Sequence, residues 1–143
     1  MKKIMIINGP NLNFLGIREK NVYGNDDYES ICSYIKEKFS NRKVRIDILQ
    51  SNSEGKLIDF LQSAYFRNFD GIVINPGAYT HYSYAILDAI KSISIPTVEV
   101  HLSNIHEREE FRKVSVTAPA CIAQIYGKGK EGYVEAVELL IKE

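Results

Sequence analysis

The stretch Lys3-Ile-Met-Ile-Ile7, followed by Asn8-Gly9-Pro10, carries the pattern on which the predicted fold depends. Its apolar residues run without interruption and stop at a polar turn, which predicts a buried strand that ends there. Gly71-Ile-Val-Ile-Asn75 repeats the pattern and is broken by Pro76-Gly77. Two strands with so few polar positions indicate a sheet that is covered on both faces.

Helical and strand-like segments alternate along the rest of the chain. Apolar residues at helical spacing predict the helices, and short apolar or alternating runs predict three more strands. The additional strands are predicted at residues 44–48, 97–101 and 120–126, and the helices at residues 53–66, 83–92 and in the last stretch through Ile141.

Two more helix starts are marked by capping residues. Asp26, with Glu29 three residues later, resembles a capping box and predicts a helix that continues to Phe39. Asn104 with Glu107 predicts a short helix after the fourth strand.

Five strands alternating with helices predict an α/β fold in a single domain spanning residues 1–143. Parallel strands need long crossover connections, which are right-handed, so the helices are expected on both faces of the sheet. We expect a flavodoxin-like three-layer sandwich with a five-stranded parallel sheet, rather than a Rossmann order, because only five strands are available.

Composition and charge exclude several classes of protein. Of 143 residues, 45% are hydrophobic and 25% charged, which supports a packed core. Eighteen basic and eighteen acidic side chains give zero net charge, so neither a nucleic-acid nor a membrane partner is expected. The early apolar run is too short for a signal peptide or a membrane span. Cys32 and Cys121 form no CxxC or metal-ligand cluster, so we expect a cytoplasmic protein without a metal site.

Polar side chains follow several of the predicted strands. Asn8 and Asn11 come after the first strand, Asn75 ends the third and His101 ends the fourth. Any one asparagine is readily explained as a turn or cap residue. Because ligands bind beyond the carboxyl ends of the strands in such sheets, the set together predicts a binding site at this edge.

Two residue pairs suggest acid–base chemistry. Glu99 and His101 point to the same side of one strand, and the carboxylate would orient the imidazole and favour its charged form, as a general acid needs. A hydrogen-bonded core histidine is the alternative. Arg18 and Tyr23 share the long loop that follows the first strand, and a guanidinium could favour a phenolate that acts as a base. The alternative is a solvated arginine and a tyrosine that covers an apolar patch.

Two other histidines and a glycine motif have less specific patterns. His81 and Asp88 would share one helix face if the helix began by His81; otherwise they are a helix-start contact and a solvated charge. His106 lies in a charged run and is predicted at the surface. The segment from Gly127 to Gly132 matches GxGxxG but precedes the last helix with no following strand, so we interpret it as a tight turn.

Taken together, several motifs resemble the type II 3-dehydroquinate dehydratase family along essentially the whole chain, in order and with matching spacing. These motifs are Asn8-Gly-Pro-Asn-Leu-Asn13, Leu15-Gly-Ile-Arg18-Glu19, Tyr23-Gly24, Gln50-Ser-Asn-Ser-Glu-Gly55, Asn75-Pro-Gly-Ala-Tyr-Thr-His81, Glu99-Val-His-Leu-Ser-Asn104 and Arg108-Glu-Glu-Phe-Arg112.

The resemblance implies a hydro-lyase that removes water from 3-dehydroquinate by anti elimination through an enolate, with no cofactor and no metal. It implies catalytic roles for Tyr23, Arg18, Asn11, His101 and Glu99. The substrate-binding residues that it implies are Asn75, His81, Asp88, Leu102, Ser103 and Arg112. It also implies a homododecamer built from trimers, with Asp88 near a neighbouring subunit's site. A flavodoxin-like module that binds a flavin or a nucleotide is the alternative.

Overall fold

The first and third strands form the centre of the sheet in a computed structural model that describes residues 1–17 and 26–142. Five parallel strands follow the order β2-β1-β3-β4-β5. Their bounds are β1 Lys2–Asn8, β2 Val44–Gln50, β3 Gly71–Asn75, β4 Thr97–His101 and β5 Ala123–Tyr126. This is the predicted flavodoxin-like order, and all strands point their carboxyl ends to one edge.

Helices cover both faces of the sheet, as the buried strand patterns predict. Among the described residues the α-helices are α1 Tyr28–Lys38, α2 Glu54–Phe66, α3 Tyr84–Ile93 and α4 Glu131–Ile141. Alternate residues of β1 face opposite layers: Ile4 and Ile6 pack in the core beneath α1 and α4, while Met5 and Ile7 pack in the core beneath α2 and α3. The result is a three-layer sandwich with two apolar cores. None of the helices in these described ranges is long and apolar enough to cross a bilayer.

Serine and aspartate side chains cap three of these helices. Ser53 accepts a hydrogen bond from the Lys56 N–H at the start of α2, and Ser83 caps α3. The predicted capping role of Asp26 is wrong by one residue, because Asp27 is the N-cap of α1 and accepts from the Ser30 N–H at 2.7 Å. Both residues carry the same side chain, so the local pattern does not distinguish them.

Proline chemistry shortens the last strand relative to the prediction. β5 begins at Ala123 rather than at Ala120. Residues Ala118–Ala120 form a 3₁₀ turn that contains Pro119, which has no N–H to donate to a neighbouring strand. The Ile122 N–H makes the first bond to the sheet, to the Thr97 carbonyl at 2.8 Å.

Candidate active site

A cleft of about 580 Å³, including its open mouth, lies beyond the carboxyl ends of β1, β3 and β4. It forms there because the chain leaves each of these strands through a turn or loop whose residues form the walls. Seven of the predicted site residues line it: Asn11, Asn75, His81, His101, Leu102, Ser103 and Arg112. The strand-end argument therefore predicts the position of the cleft correctly.

Glu99 and His101 form a buried pair at the end of β4. The His101 Nε2 atom lies 2.9 Å from the Glu99 Oε2 atom. Glu99 is completely buried and His101 is 6% exposed, so water does not compete for this contact. The carboxylate thus fixes the imidazole ring at the cleft, as the shared side of the strand predicts.

Three more side chains donate hydrogen bonds to the Glu99 carboxylate. The Ser115 Oγ and Gln124 Nε2 atoms each lie 2.8 Å from its Oε2 atom, and the Thr117 hydroxyl bonds to its Oε1 atom. Burial by itself raises the pKa of Glu99, but the bonds from His101, Thr117 and Gln124 outweigh it and lower the pKa below its ordinary value. Glu99 therefore stays ionised inside the protein and holds the His101 ring through a charge-assisted hydrogen bond.

His81 lies across the cleft in the 3₁₀ turn Gly77–His81. Its Nδ1 atom is 2.7 Å from the Val114 carbonyl oxygen, which only accepts, so Nδ1 carries a proton. Burial lowers the pKa of His81, which favours the neutral ring with Nε2 as a hydrogen-bond acceptor.

The condition for a common helix face of His81 and Asp88 is not met, so the alternative of a residue at the helix start and a solvated charge applies. Ser83 caps α3 and the helix begins at Tyr84, so His81 precedes the helix. Asp88 is exposed on α3 and does not line the cleft.

Two asparagines, one after β1 and one at the end of β3, line the cleft. Asn11 has a left-handed backbone with φ 68°, and its N–H donates to the Asn52 side-chain oxygen at 3.0 Å. Asn75 is 4% exposed, and its Oδ1 atom accepts from the Gly77 N–H at 3.2 Å. Asparagine tolerates such turn geometry, so each residue has a structural role as well as a place in the cleft.

The glycine turn after β5 holds the backbone of Leu102 and Ser103, which line the cleft. The Gly127 N–H donates to the Ser103 carbonyl at 3.0 Å, and the Gly129 N–H donates to the Leu102 carbonyl at 3.1 Å. Both glycines have positive φ, 76° and 56°, so the interpretation of the GxGxxG match as a tight turn is correct. This turn fixes the position of the Leu102–Ser103 backbone.

Two arginines bring positive charge to the cleft. Arg112 was predicted from the resemblance and is oriented by Glu109, whose Oε2 atom lies 3.1 Å from the arginine Nε. Arg108 also lines the cleft but was not predicted as a site residue. The motif from Arg108 to Arg112 contained the signal, since both ends of the motif are arginine. Guanidinium groups suit a ligand that carries a carboxylate.

Two predicted catalytic residues, Arg18 and Tyr23, lie outside the described residues. Within the described ranges, no group of three or more His, Cys, Asp or Glu side chains is arranged to hold a metal ion. His106 is exposed, as predicted.

The fold and the cleft together define a class: an α/β protein in which a buried carboxylate–imidazole pair and two arginines meet at a cleft beyond the strand ends. A family model described as class II dehydroquinase matches residues 2–141. A 3-dehydroquinate dehydratase from Clostridium beijerinckii is 64% identical over 138 residues, covering 96% of this chain and 94% of that protein.

Solved structures agree with these matches. A type II dehydroquinase from Butyrivibrio crossotus has a TM-score of 0.96 at 57% identity, covering 98% of this chain and 97% of that one. One from Propionibacterium acnes has a TM-score of 0.95 at 35% identity, covering 100% and 98%. The chain belongs to the class II dehydroquinase family. The alternative of a flavin- or nucleotide-binding module is not favoured.

Proposed function

We propose that the cleft is the active site in which this chain converts 3-dehydroquinate to 3-dehydroshikimate, a step of the shikimate pathway, by anti elimination of water. The chain is a hydro-lyase by its family and by its relatives, several of which are named 3-dehydroquinate dehydratase. The observation that best supports the site is the buried Glu99–His101 pair at a cleft that also contains Arg108 and Arg112. The proposed reaction uses only side chains and backbone of the chain, as the resemblance implies.

The first step is removal of a proton from the carbon next to the ketone. We assign Tyr23 as the base, with Arg18 favouring its phenolate, on the resemblance of the Arg18–Glu19 and Tyr23–Gly24 motifs to the family. Such a proton leaves only if the enolate oxygen is stabilised as its charge forms, and a well-placed donor contributes about 3–4 kcal/mol. Asn11, at the cleft, is assigned to this oxygen.

The second step is departure of the hydroxyl group with a proton from His101. Hydroxide is a poor leaving group, so a positioned acid contributes roughly 10²–10⁴-fold. The Glu99 carboxylate at 2.9 Å supports this role, because it orients the His101 ring at the cleft.

The remaining cleft residues hold the substrate. Arg112 and the fixed backbone at Leu102 and Ser103 suit its carboxylate, which carries the negative charge. Neutral His81, with Nε2 as acceptor, suits a hydroxyl group that donates a hydrogen bond. Asn75 supplies a further polar contact at the end of β3.

We propose that the enzyme is a homododecamer in the cytoplasm, assembled as a tetramer of trimers. Asp88 supports this proposal because it is exposed on α3 and lies away from the cleft of its own subunit. In the assembly it would reach the active site of a neighbouring subunit.

The test follows the ultraviolet absorbance of the conjugated enone when 3-dehydroquinate is mixed with the protein. We expect Tyr23→Phe to abolish turnover and to leave substrate binding largely intact, because only the proton acceptor is lost. Tyr65→Phe, which removes the hydroxyl of an exposed tyrosine on α2, is the matched control and should keep wild-type turnover. Equal rates in Tyr23→Phe and the wild type would refute the assignment.

A second variant tests the partner of the base. Arg18→Ala should lower the rate and move the pH–rate profile to alkaline pH, because the phenol then ionises less readily. A normal rate with an unshifted profile would contradict the pairing.

A further inference from the structure

A chain of buried hydrogen bonds runs beneath the cleft and ends at Asn75. The Asn75 Nδ2 atom donates to the Tyr133 hydroxyl at 3.1 Å, and that hydroxyl donates to the Asn8 Oδ1 atom at 2.6 Å. The Asn8 Nδ2 atom in turn donates to the Tyr28 hydroxyl at 3.3 Å. Asn8, Asn75 and Tyr133 are each no more than 4% exposed. Neither Asn8 nor Tyr133 has a role in the proposed reaction.

The donors and acceptors of this chain fix the orientation of the Asn75 amide. The Gly77 N–H can only donate, so the atom facing it is the Asn75 oxygen. The amide nitrogen then faces Tyr133 and donates to its hydroxyl oxygen. That hydroxyl has a single proton, with which it donates a hydrogen bond to the Asn8 Oδ1 atom. Burial raises the pKa of Tyr133, so its hydroxyl keeps that proton at neutral pH. The direction of each bond therefore follows from the direction of its neighbours.

One N–H group of the Asn75 side-chain amide is available to a ligand. Its oxygen accepts from Gly77, one N–H donates to Tyr133, and the second N–H has no acceptor among the described residues. Since Asn75 lines the cleft, this second N–H is the group available to a bound molecule. An amide that could rotate would offer its oxygen or its nitrogen, whereas this one offers a donor.

We propose that Tyr133 is a positioning residue that holds the Asn75 amide with an N–H toward the cleft, so that Asn75 selects a substrate oxygen that accepts a hydrogen bond. This inference rests on the proposed function, because it concerns how the same cleft recognises 3-dehydroquinate. It also gives the buried Asn8 a role: its Oδ1 atom accepts the hydrogen bond of the Tyr133 hydroxyl, whose oxygen is then left to accept from Asn75.

His81, which lines the same cleft, has the opposite hydrogen-bonding role to that of Asn75. His81 presents an acceptor to the cleft and Asn75 presents a donor, so the two residues recognise oxygens in opposite hydrogen-bonding roles. A substrate hydroxyl could satisfy either residue, but a carboxylate or ketone oxygen could satisfy only Asn75.

A double-mutant cycle tests the role of Tyr133. Tyr133→Phe removes the hydroxyl and keeps the ring, and we expect a roughly tenfold lower kcat/KM, mainly through a higher KM. In an Asn75→Ala background the same change should cost less than about twofold, because the amide to be positioned is absent. Tyr65→Phe, at an exposed site, should change neither constant and serves as the matched control.

The outcomes separate this inference from the proposed function. An active wild type with equal losses in both backgrounds, or with no loss on Tyr133→Phe, would overturn the inference alone. A wild type that does not dehydrate 3-dehydroquinate would overturn the proposed function and the inference with it. Thermal melting of each variant shows whether it is folded.

A second pair of variants covers the case in which Tyr133→Phe does not fold. Asn75→Asp keeps the shape of the side chain but offers no N–H, so it should lower kcat/KM at least as much as Asn75→Ala does. If Asn75→Asp kept most of the activity that Asn75→Ala loses, an oxygen would face the substrate, and the assigned orientation would be wrong.

Discussion

At the scale of single residues, the Glu99 carboxylate is held by hydrogen bonds from four side chains. It lies fully inside the protein, where an isolated charge would be very unfavourable. Donors from three different parts of the chain compensate for this burial: His101 on the same strand, Ser115 and Thr117 in the segment before β5, and Gln124 on β5 itself. A charge held in this way can keep the His101 ring in one orientation throughout the reaction.

Replacing this carboxylate tests its contribution. Glu99→Gln keeps the size of the side chain but removes the negative charge, so His101 loses the charged acceptor that orients its ring. We expect kcat to fall by roughly 10²-fold in the enone assay. Glu110→Gln, which alters an exposed side chain paired only with Lys113 at the surface, is the control and should behave like the wild type. Near-normal kcat in Glu99→Gln would mean that His101 does not depend on its partner.

We expect the stability of the protein at acid pH to depend on His81. Burial holds the pKa of folded His81 below its ordinary value of 6.5, so the unfolded chain takes up this proton first. Its contribution to stability is complete above about pH 6.5 and is lost as the pH falls through the folded-state pKa. Between about pH 7 and pH 5, the free energy of unfolding of His81→Gln should therefore fall less than that of the wild type. Urea denaturation at each pH measures this difference.

The control for this measurement changes no titrating group. Gln62→Ala, at an exposed position on α2, should follow the pH dependence of the wild type. If His81→Gln followed it as well, His81 would not be the group responsible.

At the scale of secondary-structure elements, the turns that leave β1 and β3 hold each other in place. The Gly9 N–H donates to the Asn75 carbonyl at 2.8 Å, and Asn8 pairs with Asn75 in the sheet register. A Cβ atom on Gly9 would lie 2.5 Å from the Pro76 carbonyl oxygen, closer than such atoms approach. Glycine at this position is therefore what lets the two strand ends meet beneath the cleft.

A methyl group at this contact should disturb both stability and activity. Gly9→Ala forces the backbone at Pro76 to move, and we expect about 2–3 kcal/mol less free energy of unfolding together with a lower kcat/KM. Gly55→Ala, in the first turn of α2, has space around its Cβ and should stabilise the protein by roughly 0.5–1 kcal/mol. Equal stability of the two variants would contradict the close-contact argument.

At the scale of the whole molecule, the chain leaves several large apolar side chains exposed at the start of α3 and between β4 and β5. These are Tyr82, Tyr84, Phe111, Val114 and Ile122. Where exposed apolar groups adjoin in one patch, they are typical of surfaces that contact another protein. They support the proposal that subunits associate, and the exposed Asp88 lies on the same helix as Tyr84.

Association and activity are expected to be linked through Asp88. In light scattering we expect a dodecamer, and Asp88→Ala should lower kcat/KM without changing the assembly. Asp59→Ala, exposed on α2, is the matched control. Mixed assemblies of Asp88→Ala and Tyr23→Phe subunits should regain part of the activity, because some sites then receive Tyr23 and Asp88 from different subunits. No regain would indicate that Asp88 serves its own subunit.

Local patterns were sufficient for most elements but less precise at their ends. The helix starts near residues 53 and 83 and the central strands were predicted closely, because apolar periods depend on neighbouring residues. The errors fell where two adjacent residues have the same capping ability, at Asp27, and where the predicted strand began directly after a proline, at Pro119.

The sequence by itself determined the class of fold, the edge of the sheet that carries the cleft and the pairing of Glu99 with His101. These follow from periodicity and from the rule that parallel strands end together. Only the tertiary structure decided which groups surround them. Gln124 reaches Glu99 across 25 positions, and Tyr133 reaches Asn75 across 58. Contacts between such distant positions depend on how the helices and strands pack, which no local pattern encodes.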